Sequence, residues 1–320
     1  MPEGHSVHRI ARQFTANFAG RVVAASSPQG RFAEGAGEID GREMVETFAV
    51  GKHMFSRFDG GVWLRVHLGI YGAWDFSGQV STTLGQTGEY SRKRPGVTIE
   101  DSRGETSLSS IGAPRRTRLK MAEAEREQEL SQWPPEPVGA VRLRLLTAET
   151  CADLRGPTAC ELMTGDEVAA RIEKLGPDPL VDRGAKAEAR FLERARGKRT
   201  PIGIVLMDQQ IVSGIGNVYR AEMLYRAGIN PHTPTSQLTD EQLRELWRDW
   251  TKLLKIGVEV GQMMTIDGLR GKAKAAALEN REDRHWVYGR AGEPCRVCGT
   301  PIALEEMQAR KLYWCPGCQL

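Results

Sequence analysis

Four of the six cysteines stand in two closely spaced pairs near the C-terminus. Cys295 and Cys298 form one C-x2-C pair, and Cys315 and Cys318 form the other. Each pair sits on a tight turn that directs two sulfur atoms to one point, so the four thiolates predict a tetrahedral zinc site. A redox role needs only one pair in a thioredoxin-like unit, and two disulfides are disfavoured in a reducing compartment. With four protein ligands, one zinc ion has no open coordination position and is expected to be structural.

The first residues of the chain can form a nucleophile. Pro2 follows Met1, a context in which the methionine is commonly removed. Removal leaves a secondary amine, and the positive end of a following helix dipole disfavours its protonated form. Such an amine attacks carbonyl-like carbons to form an iminium ion.

Two charged residues could assist this amine. Glu3 is a candidate general acid/base if its carboxyl group is partly desolvated. Lys52 is a cation that can bind phosphate or protonate a leaving group. Taken singly, a terminal proline, a first-turn glutamate and a surface lysine are commonplace, so these residues indicate a catalytic site only in combination.

Two further segments could bind phosphate. Gly214-Ile215-Gly216-Asn217 precedes a predicted helix, and Asn217 can either cap that helix or donate to a phosphate. The segment between the cysteine pairs predicts a β-hairpin, and Arg310 on it could reach DNA phosphates. A stretch with seven basic residues between 183 and 199 also suits a polyanion, although a solvated helix face is the ordinary explanation.

The elements that position these residues follow from hydrophobic periodicity. Residues 3–18 have the spacing of an amphipathic helix, and 21–76 contain short apolar runs typical of antiparallel strands. Residues 77–137 are polar and predict an insertion that is part disordered and part helical, after which a strand at 141–146 resumes the sheet. Helical periodicity then appears around 165–175, 184–197, 217–228 and 239–257.

Composition limits the class of protein. Hydrophobic residues make up 40% and charged residues 27% of the 320, as in ordinary globular proteins, and the net charge is +3. No apolar run approaches the 18 residues of a membrane span, and the N-terminus does not resemble a secretory signal. We therefore expect a cytoplasmic protein without a membrane partner.

Several motifs in this order resemble the formamidopyrimidine-DNA glycosylase/endonuclease VIII family. The matching segments are Met1-Pro2-Glu3-Gly4, Gly51-Lys52, His67-Leu68-Gly69-Ile70-Tyr71-Gly72, Leu206-Met207-Asp208, Gly214-Ile215-Gly216-Asn217-Val218-Tyr219, Val287-Tyr288-Gly289-Arg290 and Tyr313-Trp314-Cys315-Pro316-Gly317-Cys318-Gln319. They span both ends and the middle of the chain, whereas 77–137 and 262–285 match poorly. No single motif is decisive, and the specificity lies in their number and order.

The resemblance implies an α+β fold with three domains. An N-terminal helix and an antiparallel β-sandwich would form the catalytic domain at 1–148, including the insertion at 77–137. A helix–two-turn–helix DNA-binding domain would follow at 149–285, and a zinc finger at 286–320. Damaged double-stranded DNA would lie in the cleft between the domains of a monomer associated with the nucleoid, and single-stranded DNA remains an alternative substrate.

The resemblance also implies roles for individual residues. Pro2 would form a Schiff base with the deoxyribose, and Glu3 would act as acid/base. Lys52, Asn217 and Arg310 would contact phosphates, with Lys52 also assisting elimination. The damaged nucleotide would be flipped out of the duplex, and Ile70 with Tyr71 beside it would fill the vacancy.

The expected activity is that of a bifunctional glycosylase and abasic-site lyase with β,δ-elimination. Gly4, the Ile70-Tyr71 pair and the YWCPGCQ ending are similar to the endonuclease VIII branch, which favours oxidised pyrimidines. His5-Ser6 departs from the usual Pro-Glu and removes a second carboxylate near the nucleophile. The alternatives are a non-catalytic, damage-specific DNA-binding protein and an 8-oxoguanine/formamidopyrimidine glycosylase.

Overall fold

The chain forms two compact units, Met1–Ile172 and Glu173–Leu320. The computed structural model describes residues 2–81, 107–113 and 133–320. The division falls later than the boundary predicted at 148–149, because two strands after that point still pair with the sheet of the first unit. Most of the predicted insertion, and with it the expected disorder and helix, lies outside the described residues.

The first unit is an antiparallel sheet with helices packed on it. Its described strands run in the order β6-β5-β8-β7-β1-β2-β3-β4-β9. They are β1 (Arg21–Ser26), β2 (Arg42–Val50), β3 (His53–Phe58), β4 (Trp63–His67), β5 (Ala73–Gly78), β6 (Ser110–Gly112), β7 (Val141–Leu146), β8 (Thr150–Arg155) and β9 (Ala159–Met163).

Strand β1 joins the two halves of this sheet. Its first three residues pair with β2, and its last three pair with β7. The two halves share one apolar core, in which Leu64 of β4 and Leu143 of β7 are both fully buried. The predicted β-sandwich is therefore confirmed as one continuous sheet whose two halves contribute to a common core.

The predicted N-terminal helix is confirmed as α1 (Gly4–Asn17). Its apolar positions Val7, Ile10 and Phe14 follow helical spacing and join the sandwich core. Two further helices, α2 (Ala33–Ile39) and α3 (Gly165–Lys174), complete the described part of the unit. Strand β9 comes directly before the helical region predicted at 165–175 and pairs with β4 at the sheet edge.

The second unit is helical. Its helices are α4 (Ala185–Ala195), α5 (Ile202–Val205), α6 (Asn217–Arg226), α7 (Asp240–Val260) and α8 (Gly271–Glu279). Helix α7 begins with a capping box between Thr239 and Gln242 and ends at Gly261, whose φ is +83°. Helices α4, α6 and α7 share a core that includes Phe191, Tyr219 and Trp250.

The C-terminal module is a hairpin of two short strands, β10 (Ala303–Glu306) and β11 (Lys311–Trp314). It packs on helix α6 through a small apolar cluster that includes Tyr225, Ile302 and Cys315. The hairpin predicted between the cysteine pairs is therefore confirmed. Among the helices in the described ranges, none is long and apolar enough to cross a membrane.

Candidate active site and metal centre

Pro2 and Glu3 stand directly before helix α1. Glu3 is the N-cap residue with extended backbone angles, and its carbonyl accepts a hydrogen bond from the Ser6 amide at 3.0 Å. Its side chain does not cap the helix, yet it is fully buried. The Glu3 carboxyl group is therefore shielded from bulk solvent at the start of α1.

Two hydrogen bonds fix the direction of α1 along the sheet. The Gly20 amide donates to the Met44 carbonyl at 2.8 Å, and the Thr15 hydroxyl donates to the Thr47 carbonyl at 3.4 Å. Helix α1 therefore runs antiparallel to β2. Because a helix rises about 1.5 Å and a strand about 3.3 Å per residue, the turn after β2, which holds Lys52, lies level with the start of α1.

The loop between β4 and β5 lies at the same end of the sheet. His53, which follows Lys52, pairs across the strands with His67, the last residue of β4. Ile70 and Tyr71 come three and four residues later, and their side chains are 46% and 79% exposed. The structure thus places four segments of the first unit at the same end of the sheet: the N-terminus, the Lys52 turn, the histidine pair and this apolar loop.

Glycines on both sides of the exposed pair shape this loop. Gly69 has a φ of +65°, and a Cβ there would lie 1.8 Å from the Thr158 hydroxyl oxygen. A Cβ on Gly72 would lie 2.4 Å from the Leu68 carbonyl oxygen. Both positions therefore exclude larger residues, and the resulting tight turn displays two large apolar side chains to solvent.

The histidine pair is held in the neutral form. The rings of His53 and His67 are 4.8 Å apart, and Arg65 donates from Nε to His53 Nδ1 at 3.2 Å. Burial and the neighbouring positive charges lower the pKa of His53 to about 3. Burial, Arg65 and Lys52 lower the pKa of His67 to about 4. Both imidazoles are therefore uncharged near pH 7 beside the Lys52 turn.

The four predicted zinc ligands converge in the second unit. The sulfur atoms of Cys295, Cys298, Cys315 and Cys318 all lie within 4.8 Å of one another. The Cys295–Cys318 and Cys298–Cys315 distances are 3.8 and 3.4 Å. Tetrahedral coordination with zinc–sulfur bonds of about 2.3 Å gives sulfur separations of roughly 3.8 Å. The cluster therefore fits one structural zinc ion.

Hydrogen bonds favour the thiolate form of Cys295 and Cys298, whereas burial raises the pKa values of Cys315 and Cys318. Bonds from Thr300 lower the pKa of Cys298 to about 6. The Tyr225 hydroxyl lies 3.2 Å from the Cys295 sulfur, and burial together with this contact raises the pKa of Tyr225. Tyr225 therefore stays protonated and can donate its hydrogen to the sulfur.

Arg310 is exposed at the tip of the hairpin. Reciprocal backbone hydrogen bonds between Met307 and Arg310, at 2.9 and 3.2 Å, close a two-residue turn. The central residues, Gln308 and Ala309, have φ values of +51° and +56°. This is the backbone of a type I′ turn, which normally takes Asn-Gly, so the tip is strained.

Asn217 is the first residue of α6, and Gly216 is its N-cap. The Asn217 side chain does not cap the helix; its Nδ2 donates instead to the Lys311 carbonyl at 2.7 Å. The capping alternative is therefore wrong, because this amide is engaged by the neighbouring hairpin. The contact also brings Asn217 close to Arg310, the residue before Lys311.

The basic stretch at 183–199 is partly neutralised inside the second unit. Arg190 forms an ion pair with Asp182 at 2.8 Å, and Arg196 pairs with Asp240. Arg194 donates to the Leu175 carbonyl at 2.9 Å. These contacts support the ordinary explanation of a charged helix face more than a dedicated polyanion site.

Helix α6 carries two buried charged residues, Arg220 and Glu222, that the sequence pattern did not indicate. Glu222 accepts hydrogen bonds from three successive amides, those of Trp286, Val287 and Tyr288, at 2.8–2.9 Å. Arg220 is 1% exposed and donates to the Lys311 carbonyl at 3.2 Å. Helical periodicity marks a single apolar face, so charged side chains on a helix that is buried on nearly all sides give no comparable signal.

Three family models match the chain. The formamidopyrimidine-DNA glycosylase N-terminal domain matches residues 1–145, and the formamidopyrimidine-DNA glycosylase H2TH domain matches 175–267. The zinc finger found in FPG and IleRS matches 292–320. The matches follow the order of the sandwich, the helical region and the cysteine module.

Curated relatives agree with these models. "Endonuclease 8 1" of Mycobacterium tuberculosis is 37% identical over 319 residues, which covers 100% of both chains. Formamidopyrimidine-DNA glycosylase of Prochlorococcus marinus is 35% identical over 159 residues, 48% of this chain and 51% of that protein. Among solved structures, Lactococcus lactis formamidopyrimidine-DNA glycosylase non-covalently bound to DNA containing an abasic site superposes with a TM-score of 0.69, at 19% identity over 99% of each chain. This superposition shows a common fold.

Proposed function

The chain belongs to the formamidopyrimidine-DNA glycosylase/endonuclease VIII family, and we propose that Pro2 is the nucleophile of its reaction. As a member it is a DNA glycosylase and abasic-site lyase of base excision repair. The observation that carries the proposal is the common position of the chain start, the buried Glu3 and the Lys52 turn at one end of the sandwich.

The chemistry requires that Met1 is removed. The Pro2 nitrogen then attacks C1′ of the damaged nucleotide, and the bond between C1′ and the base breaks as the base leaves with a proton. Opening of the sugar ring gives an iminium ion between Pro2 and C1′. Loss of a C2′ proton expels the 3′ phosphate, and a second elimination expels the 5′ phosphate. Water then hydrolyses the iminium and restores the free amine.

Glu3 and Lys52 transfer the protons in these reaction steps. Glu3 is buried beside Pro2, so its carboxyl group can protonate the sugar ring oxygen as the ring opens. Lys52 lies level with this end of α1 and can bind a flanking phosphate and protonate a leaving group. The His53–His67 pair next to it is neutral and adds no competing positive charge.

The remaining residues hold the DNA. Ile70 and Tyr71 are exposed apolar side chains on a tight turn, a form suited to filling the space that a flipped nucleotide leaves. Asn217 and Arg310 lie close together in the second unit and contact phosphates. The zinc ion, held by four cysteines, stiffens the module that carries Arg310.

The substrate is an oxidised pyrimidine in double-stranded DNA. The support is the similarity of Gly4, the Ile70-Tyr71 pair and the C-terminal motif to the endonuclease VIII branch, together with a full-length relative that bears that name. The protein acts as a monomer associated with the nucleoid. An 8-oxoguanine enzyme is the second candidate, because formamidopyrimidine-DNA glycosylase models match most of the chain.

Borohydride trapping tests the proposal. The purified protein is incubated with borohydride and with duplexes that carry an abasic site, 5-hydroxyuracil or 8-oxoguanine. Borohydride reduces the iminium to a stable bond, and mass spectrometry locates the adduct. We expect DNA covalently attached to Pro2, with 5-hydroxyuracil trapped faster than 8-oxoguanine. The matched control is the same chain with an N-terminal extension, which turns the Pro2 amine into an amide and should abolish trapping.

Each outcome is decisive for part of the proposal. An adduct on another residue would overturn the role of Pro2. Faster trapping on 8-oxoguanine would replace the pyrimidine assignment. A protein that lacks Met1, binds abasic DNA and forms no adduct would support a binding function without this covalent step.

A further inference from the structure

Arg220 lies on helix α6 one turn after Asn217 and is almost completely buried. Its guanidinium donates to three oxygen atoms in the second unit. These are the Asn217 side-chain oxygen, the Lys311 carbonyl at 3.2 Å and the Gly203 carbonyl at 3.4 Å. One buried cation therefore contacts the candidate phosphate ligand of the helix and the backbone of the zinc hairpin.

These contacts fix which way the Asn217 amide points. Arginine can only donate hydrogen bonds, so the atom of Asn217 that faces Arg220 must be the carbonyl oxygen. The NH2 group then faces the Lys311 carbonyl, to which it donates at 2.7 Å. Because an NH2 group has two hydrogens, one remains to donate to an anion. The opposite orientation would place donor against donor at Arg220.

The Lys311 carbonyl receives both of these groups. It belongs to the first residue of β11 and follows Arg310, the exposed residue at the hairpin tip. Arg220 therefore acts on both predicted phosphate contacts, directly on the Asn217 amide and through the hairpin backbone on Arg310. Charge-assisted hydrogen bonds of this kind are stronger than neutral ones and leave costly unsatisfied groups when removed.

We infer that Arg220 is a positioning residue for DNA binding. It orients the Asn217 amide as a phosphate donor and holds the backbone of the zinc hairpin beside that amide. The inference rests on the proposed function, since it assigns Asn217 to the DNA backbone. Arg220 itself is buried and contacts no phosphate. Its loss should therefore weaken DNA binding and leave the chemistry at Pro2 intact.

A double-mutant cycle tests this inference. Arg220→Met, Asn217→Ala and the double variant are compared for their Kd with a duplex that carries a stable abasic-site analogue. We expect Arg220→Met to raise Kd by about tenfold, the effect of losing charge-assisted bonds. In the Asn217→Ala background the same change should raise Kd by a clearly smaller factor, about threefold, because only the route through the hairpin backbone to Arg310 remains.

Further readouts separate positioning from a loss of folding. The borohydride trapping rate at saturating abasic DNA should stay within twofold of wild type, and zinc content should stay at one ion per chain. Arg226→Met is the matched control, because Arg226 lies on the same helix and bonds Asp249 at 2.7 Å rather than Asn217. It should leave Kd within twofold.

Two results would overturn the inference. One is an equal loss of affinity from Arg220→Met with and without Asn217, and the other is an unchanged Kd in the single variant. If Arg220→Met does not retain zinc, Arg220→Lys is used for the test, since lysine keeps the charge and a donor. Its smaller loss of affinity must also become smaller when Asn217 is replaced. Failure of the proposed function is distinct, because wild type would then form no adduct on Pro2.

Discussion

At the zinc end of the second unit, two turns of four residues each bring four thiols within 4.8 Å of one another. At the candidate catalytic end of the first unit, the chain start, the Lys52 turn and the Ile70-Tyr71 loop lie at the same end of the sheet only because α1, β2, β3 and β4 pack together. One site is thus built from local turns and a metal ion. The other is built from the tertiary fold.

This contrast implies that the two sites fail separately. Disruption of the zinc module should lower DNA affinity and leave the proposed nucleophile in place, since the described sandwich core contains no residue of the zinc module. Disruption of the N-terminal end should stop the reaction and leave DNA binding by the second unit intact. Substitutions at either end can break this separation, and their expected effects differ in size.

The largest effect is expected for Glu3→Gln. Glutamine has nearly the same shape but cannot transfer a proton, so release of the damaged base should slow by about 10²–10⁴-fold. Single-turnover excision on 5-hydroxyuracil duplexes measures this rate, and Kd should change little. The control is Glu34→Gln on helix α2, an exposed carboxylate that should have no effect. A normal rate in Glu3→Gln would remove this residue from the mechanism.

The next effect concerns Cys315→Ser. Without this ligand the zinc module should lose its order, because the free energy of zinc binding is folding energy there. DNA affinity should fall by about tenfold to a hundredfold as the charge-assisted contact of Arg310 is lost, and the trapping rate at saturating abasic DNA should fall far less. Cys160→Ser in β9 is the control. Unchanged affinity in the zinc-free variant would contradict the role of Arg310.

The sequence is sufficient to predict features whose signal is local. The zinc ligands follow from spacing alone, and α1 follows from the period of Val7, Ile10 and Phe14. The hairpin follows from the polar turn between the cysteine pairs. In each case the residues that specify the structure are within about twenty positions of one another, so a pattern within one segment contains the information.

Features that depend on tertiary contacts could not be predicted in this way. The end of the first unit lies after β9, a strand specified by pairing with β4 about 95 residues earlier, as in the Val66–Cys160 pair. The Asn217 side chain bonds a carbonyl 94 residues away, so a capping role predicted from its local sequence is wrong. The chemistry of Pro2, Glu3 and Lys52 suggested their candidate roles, but the family resemblance was needed to combine them in one site, because each residue is ordinary when taken singly.

A difference in pH response should sharpen the contrast between the two ends. The pKa values of His53 and His67 in the folded chain are about 3 and 4, below the value near 6.5 of the unfolded chain. Protonation therefore favours unfolding. Stability is complete above pH 6.5 and is lost as pH falls toward 4, by on the order of 1 kcal/mol per pH unit for each partly buried imidazole.

Urea unfolding at pH 7.5, 6 and 5 measures this loss. His53→Gln should flatten the pH dependence, because glutamine does not titrate and can still accept the hydrogen bond from Arg65. A chelator at pH 7.5 should instead affect the zinc module and leave the sandwich transition unchanged. A sandwich that keeps full stability at pH 5 would show that the histidine pair accepts protons while folded.

The smallest effect is expected at the hairpin tip. Ala309 has a φ of +56°, a conformation that costs a non-glycine residue about 1–2 kcal/mol. Ala309→Gly removes this strain but adds freedom to the unfolded chain, so the module should gain less than about 1 kcal/mol. Resistance of the zinc to a chelator measures the gain. Ala303→Gly in β10 is the control and should weaken zinc retention, since strand geometry suits alanine there. Equal weakening by both variants would mean that the tip is unstrained and that its left-handed backbone does not limit the stability of the zinc end.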